Sequence, residues 1–247
     1  MSNISPALWV VLAGAGLALS CGMAANSTEL YDRGTKEARA RQWEPATSDL
    51  EAFARKACGG ARPDKRCRQA HLTLARAYEQ RGSAARAWVA LDTALAMAPH
   101  QDDAKARDDL ARLEQQLREQ PHGAGGRGPV MVRYRDEMTD EFTARSLLVA
   151  IDFRPVHARN HGAGDLRSPD FTQLWSGSLP AGDHVLVVEA AHACKPGVAA
   201  HCAASQVHRS WSFTSEPRTP AGLDVRAIVE PGLAQDSVRP ALEMSPH

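Results

Sequence analysis

The chain has 247 residues, with 29 Lys and Arg balanced by 29 Asp and Glu, 43% hydrophobic residues and five cysteines. That length holds one or two domains, and the mixture of apolar and charged residues is that of a chain with a packed core. Residues 27–120 carry 17 basic and 15 acidic side chains, and residues 121–247 carry 12 and 14. Neither half has the clustered cationic excess on which nucleic-acid binding depends. An odd number of cysteines leaves one over if the others pair.

Residues 1–20 contain no charged side chain, and the apolar run from Pro6 to Leu19 is short for a bilayer span. It reads as a signal peptide. The run ends at Ala18-Leu19-Ser20-Cys21-Gly22, which resembles the bacterial lipobox. The resemblance implies that Cys21 is acylated, becomes the mature N-terminus and holds the chain on a membrane through several acyl chains. Gly22 stands where an inner-membrane retention signal would have Asp, so the expected address is the cell envelope, on the periplasmic face of the outer membrane. Ordinary secretory cleavage is the plainer alternative.

Export makes disulfides the default state of the remaining cysteines, Cys58, Cys67, Cys194 and Cys202. Of their three connectivities, Cys58–Cys67 with Cys194–Cys202 respects the Gly-rich break between the pairs. Each bond closes a loop of about ten residues, worth roughly 2.5–3 kcal/mol in the loop-entropy account. The competing reading is a soft-metal site of His192, Cys194, His201 and Cys202.

From residue 27 to residue 119 the chain is rich in Ala, Arg, Gln and Glu, with apolar residues at helical spacing. Counting Arg68 as position 1, Leu74, Ala75 and Tyr78 fall at 7, 8 and 11, Gly82 at 15, Ala87 at 20, Leu91 at 24, Ala94 at 27 and Pro99 at 32. This pattern resembles the tetratricopeptide repeat (TPR) signature, in which small residues let two antiparallel helices approach, the glycine permits the turn and the proline ends the second helix. A more degenerate copy begins at Ser27, with Leu30, Gly34, Trp43, Ala46, Leu50 and Phe53 in register. The copies are offset by 41 residues, a 34-residue period plus a seven-residue insertion at 61–67 that the Cys58–Cys67 bond would brace. Residues 102–119 add an amphipathic helix with Ala106, Leu110, Leu113 and Leu117 on one stripe, read as a cap. The expectation is a short solenoid of two repeats plus a cap. Its groove would dock a protein partner, with Tyr31, Arg39, His71 and Arg76 as candidate contacts.

Residues 120–129 hold two prolines and four glycines and read as a flexible linker. Beyond it, Val130–Asp136, Leu147–Val156, Thr172–Ser178, His184–Ala191, Arg209–Thr214 and Leu223–Val229 read as strands of an antiparallel, Ig-like β-sandwich spanning residues 130–232. In 183–189, DHVLVVE, apolar residues occupy both faces, as in a central strand. Residues 176–190, SGSLPAGDHVLVVEA, resemble the turn of PEGA-like and carboxypeptidase-regulatory-like modules, which implies a structural role for His184 at the corner. The longer pattern is similar to the C-terminal domain of TPR envelope proteins of gliding bacteria. His157 and His161 lie in a stretch read as a turn, the acidic cluster Asp136, Glu137, Asp140 and Glu141 reads as a solvated loop, and residues 233–247 read as a disordered tail.

A nucleophile elbow, a phosphate-binding glycine loop, an HExxH helix and a Cys/His protease pattern are all missing from the sequence. The whole implies an α+β protein of two domains, a short TPR solenoid followed by an antiparallel Ig-like β-sandwich. It would be a non-enzymatic envelope lipoprotein that needs no cofactor and acts as a scaffold for protein partners. A ligand-binding β half, for a metal or a cell-wall glycan, is the alternative.

Overall fold

The computed structural model describes residues 26–59, 63–98, 103–119, 126–160, 170–195, 205–231 and 238–246. They form an α+β arrangement of five helices followed by eight strands in two sheets. Among them no helix is long and apolar enough to cross a membrane.

Helix α1 (Ser27–Arg39) starts in a capping box, in which the Asn26 side chain accepts from the Glu29 N–H at 2.8 Å and the Glu29 carboxylate accepts from the Asn26 N–H at 3.1 Å. It packs on α2 (Trp43–Ala57) so closely that a Cβ on Gly34 would meet Leu50 Cγ at 2.7 Å. Cys58, at the end of α2, is bonded to Cys67, the first residue of α3 (Cys67–Gln80), with the Cα atoms 5.6 Å apart. Gly82 turns the chain from α3 into α4 (Ala84–Ala96) at a φ of +77°, the left-handed region that glycine occupies without steric cost. The last helix, α5 (Ala104–Glu119), is tied to α3 by Arg68–Asp103 at 2.6 Å and Arg112–Glu79 at 2.7 Å.

The eight strands are β1 (Arg127–Asp136), β2 (Phe142–Ile151), β3 (Arg154–Asn160), β4 (Thr172–Pro180), β5 (Gly182–Cys194), β6 (Ser205–Ser215), β7 (Ala221–Pro231) and β8 (Val238–Pro246). One sheet runs β4-β1-β7-β8 and the other β3-β2-β5-β6. Val130, Val132 and Tyr134 of β1, Leu223 and Val225 of β7, Leu147 and Val149 of β2, and Leu186 and Val188 of β5 share one apolar cluster, so the sheets have a common core. Alternate residues of β5, Val185 and Val187, join a different cluster, the helical one that holds Trp88, Leu91 and Leu117. The continuous apolar run of β5 has this cause: sheet covers one face and helices cover the other.

Four expectations need correction. The single strand Leu147–Val156 is a hairpin, broken at Asp152 and Phe153, whose φ values of +48° and +62° reverse the chain in two residues. Its second strand carries His157, which therefore lies on a strand and not in a turn. The sheets, expected to be wholly antiparallel, include one parallel pair, β1 beside β7. Of the tail expected to be disordered, residues 238–246 form β8 along β7, with Pro240, Ala241 and Leu242 buried. An edge strand has one row of N–H groups with no neighbour to serve, so prolines there need not break the pairing.

The linker also differs from its expected extent. Residues 127–129 belong to β1, and residues 120–125 lie outside the described residues. The parts on either side of it are in contact: Ala150, Val185 and Val187 of the sheet and Phe153 of the hairpin pack into the helical core.

Candidate functional site

The junction between the halves is built around the β2–β3 hairpin. Phe153 stands at its tip in a backbone region that a bulky side chain rarely adopts, and its surroundings hold it there. The ring meets Trp88 edge to face at 4.8 Å between centroids, and the Arg118 guanidinium lies 5.2 Å from its centre. Asp152, the preceding residue, is pinned to β5: its N–H donates to the Val185 carbonyl, and its carboxylate accepts from the Val185 N–H at 3.0 Å.

The other Asp152 oxygen lies 2.7 Å from His184 Nδ1, and His184 Nε2 lies 2.8 Å from the Pro180 carbonyl. Both partners are acceptors, so the geometry favours the doubly protonated ring, with a hydrogen on each nitrogen. Burial pulls its pKa down; Asp152 and the Pro180 carbonyl outweigh that and leave it above the ordinary value. His184 thus ties the Pro180–Gly182 corner to the hairpin, a structural role.

Farther along the junction a polar clamp joins α4 to the sheet. One oxygen of Asp92 accepts from the Ser210 hydroxyl at 2.5 Å and faces His208 Nε2 at 3.1 Å, while His208 Nδ1 faces Glu189 at 3.3 Å. The hydrogen bond to Asp92 raises the His208 pKa against the opposing effect of burial. Asp, His and Ser are the residue types of a hydrolase triad, but the serine donates to the carboxylate and not to the imidazole. The three side chains thus fasten α4 to the sheet, in an order different from that of a Ser-His-Asp triad.

Between the start of α4 and the end of α5 on one side, and the hairpin and the Pro180 corner on the other, lies a cleft of about 650 Å³. Its polar lining includes Arg118, Arg127, Arg154, Asp152, Asp183 and His184, with Ala84, Leu117, Val156, Leu179 and Pro180 among its apolar walls. A smaller hollow of about 220 Å³ brings His71, Glu51, Tyr78 and Arg86 of the helices to Ser212 of β6. Burial lowers the His71 ring to about 4, so it is neutral at physiological pH.

The residues singled out from the sequence fall as follows. Leu74, Ala75, Tyr78, Ala87, Leu91 and Ala94 are buried between helices, Gly34 and Ala46 are buried at the α1–α2 contact, and Pro99 lies outside the described residues. Of the candidate groove residues, Arg39 and Arg76 are exposed. Tyr31 is taken up by Phe53, at 5.2 Å between centroids, and by the Arg66 guanidinium. Cys194 is disulfide-bonded and supplies no thiolate to a metal; Cys21, His201 and Cys202 lie outside the described residues. His192 is buried with neither ring nitrogen partnered, and burial lowers its pKa. Among the described residues no group of three or more His, Cys, Asp or Glu is placed to hold a metal ion. Of the acidic cluster, Asp136 is buried and accepts from the Met138 N–H at 3.0 Å, while Glu137 pairs with Arg135.

Phe153, Asp92, His208 and Arg154 were not apparent as site residues. Only Asp92 left a trace, as the lone charge in the run AWVALDTALAMA. The chain matches no family model and no curated protein.

Proposed function

We propose that the chain is an exported, non-enzymatic adaptor of the cell envelope, anchored by lipid on Cys21, whose two TPR-type hairpins dock a protein partner while an Ig-like sandwich braces them from behind. One observation carries the reading. The sheet covers the helical array through α4, which packs on β5 and β6, whereas among the described residues α1 and α3 make no comparable contact with any strand. In a TPR array the first helix of each hairpin lines the partner groove, and here those helices are α1 and α3. The burial of the small signature residues Ala75, Ala87 and Ala94 supports the repeat assignment.

Exposed Arg76 and half-buried Leu72 then stand on the docking face. Affinity purification of the full chain from crosslinked envelopes is expected to recover a stoichiometric protein partner, lost when Leu72→Glu and Arg76→Glu are combined. Recovery of none contradicts the adaptor. Cys21→Ser is expected to move the protein from the membrane fraction to the soluble one, and retention on the membrane contradicts the anchor.

A further inference from the structure

We propose that the junction cleft is a binding site for a small amphipathic anion, whose carboxylate or phosphate is held by Arg127 and Arg154 and whose apolar part lies on Val156, Leu179 and Pro180. The cleft volume of about 650 Å³ falls within the range of small-molecule sites, which pair apolar walls with a few polar groups that fix orientation.

The charges lining it sort into engaged and open ones. Asp152 is engaged by His184 and by the Val185 N–H, and Arg118 is paired with Glu114 at 2.7 Å and stacked on Phe153. Asp183 accepts from the Thr214 hydroxyl at 2.7 Å. Arg127 gives one guanidinium N–H to the Ser178 carbonyl, and among the described residues neither it nor Arg154 has a carboxylate partner. Two guanidiniums without a carboxylate partner therefore face the cleft, while both of its carboxylates, Asp152 and Asp183, already hold hydrogen bonds. A guanidinium presents a planar fork of donors, and carboxylate and phosphate oxygens match it.

The inference does not depend on the adaptor reading, since the cleft lies at α4 and α5 and the docking face on α1 and α3. The test is a titration of the full chain, followed by amide NMR, with hexanoate, butyl phosphate and the neutral hexanol as separate probes. Either anion alone, or both, is expected to give saturable shifts at Arg127, Arg154, Ala181 and His184, and which one does so identifies the head group. Hexanol is expected to bind at least tenfold more weakly. Arg127→Glu with Arg154→Glu should weaken the anions tenfold or more, and the milder Arg154→Gln is expected to weaken them several-fold in a chain whose other resonances stay in place. Absence of saturable shifts in the cleft overturns the proposal, as does equal binding of hexanol or unchanged anion binding in Arg154→Gln.

Discussion

Two stretches of the same junction are built differently. Along α4 the halves are sealed, first by Trp88 against Phe153 and then by Asp92 against His208 and Ser210. A few residues away, where α4 begins and α5 ends, they part around the cleft. The sealed stretch combines apolar contact with buried and half-buried polar groups whose hydrogen bonds are made across the boundary. The open stretch is walled by small and apolar residues and rimmed by exposed arginines. The sealed part joins the halves beside the cleft.

The largest way to break the seal is Trp88→Ala. The side chain is 4% exposed, and removing a large buried aromatic costs about 3–5 kcal/mol. The expected outcome is a lower thermal midpoint, measured by circular dichroism. Next comes the hairpin tip. Phe153→Ala is expected to cost about 1–3 kcal/mol, and Phe153→Gly less than that because glycine occupies the left-handed backbone without strain. Chemical denaturation of both variants measures the order, and a more stable alanine variant contradicts the assignment of strain at φ +62°.

Asp92→Ala leaves the Ser210 hydroxyl and His208 Nε2 without their acceptor, an expected loss of about 1–3 kcal/mol by denaturant unfolding. The same change should lower the His208 pKa, measured by NMR, toward its ordinary value of 6.5.

The smallest effects are those of pH, and they oppose each other. His208 and His184 titrate above 6.5 in the folded chain, so their contribution is full below 6.5 and is lost as pH rises through their folded pKa values. His71, lowered to about 4, contributes fully above 6.5 and loses its contribution as pH falls from 6.5 toward 4. His208→Gln is expected to flatten the alkaline limb of stability against pH, and His71→Gln the acid limb. A shared response of both variants on one limb contradicts the separation of roles.

Legibility in the sequence follows the range of the interactions. Helix period, the small residues at Ala75, Ala87 and Ala94, and Gly82 are local signals; the structure buries the three alanines among helices and puts Gly82 in the α3–α4 turn. The Cys58–Cys67 bond spans nine positions and was equally open to reading. The junction was not. Asp92 and His208 lie 116 positions apart, and no periodicity links them. The β2–β3 turn uses Asp152 and Phe153 where glycine or asparagine would have announced it. Strand β8 was hidden by its two prolines, which its edge position tolerates. The both-sided burial of β5 was legible, but its cause, helices lying on the outer face, was not.

The central claim, that the α1 and α3 face docks a partner while the sheet side braces it, is tested most directly by photo-crosslinking in cells. A crosslinking residue is placed in the full chain at Leu72 or Arg76 on α3, or at exposed Gln173 on β4. The adaptor account predicts one discrete protein adduct, of the same mass from both α3 positions and missing from Gln173. No adduct from α3, or the same set of adducts from all three positions, contradicts it.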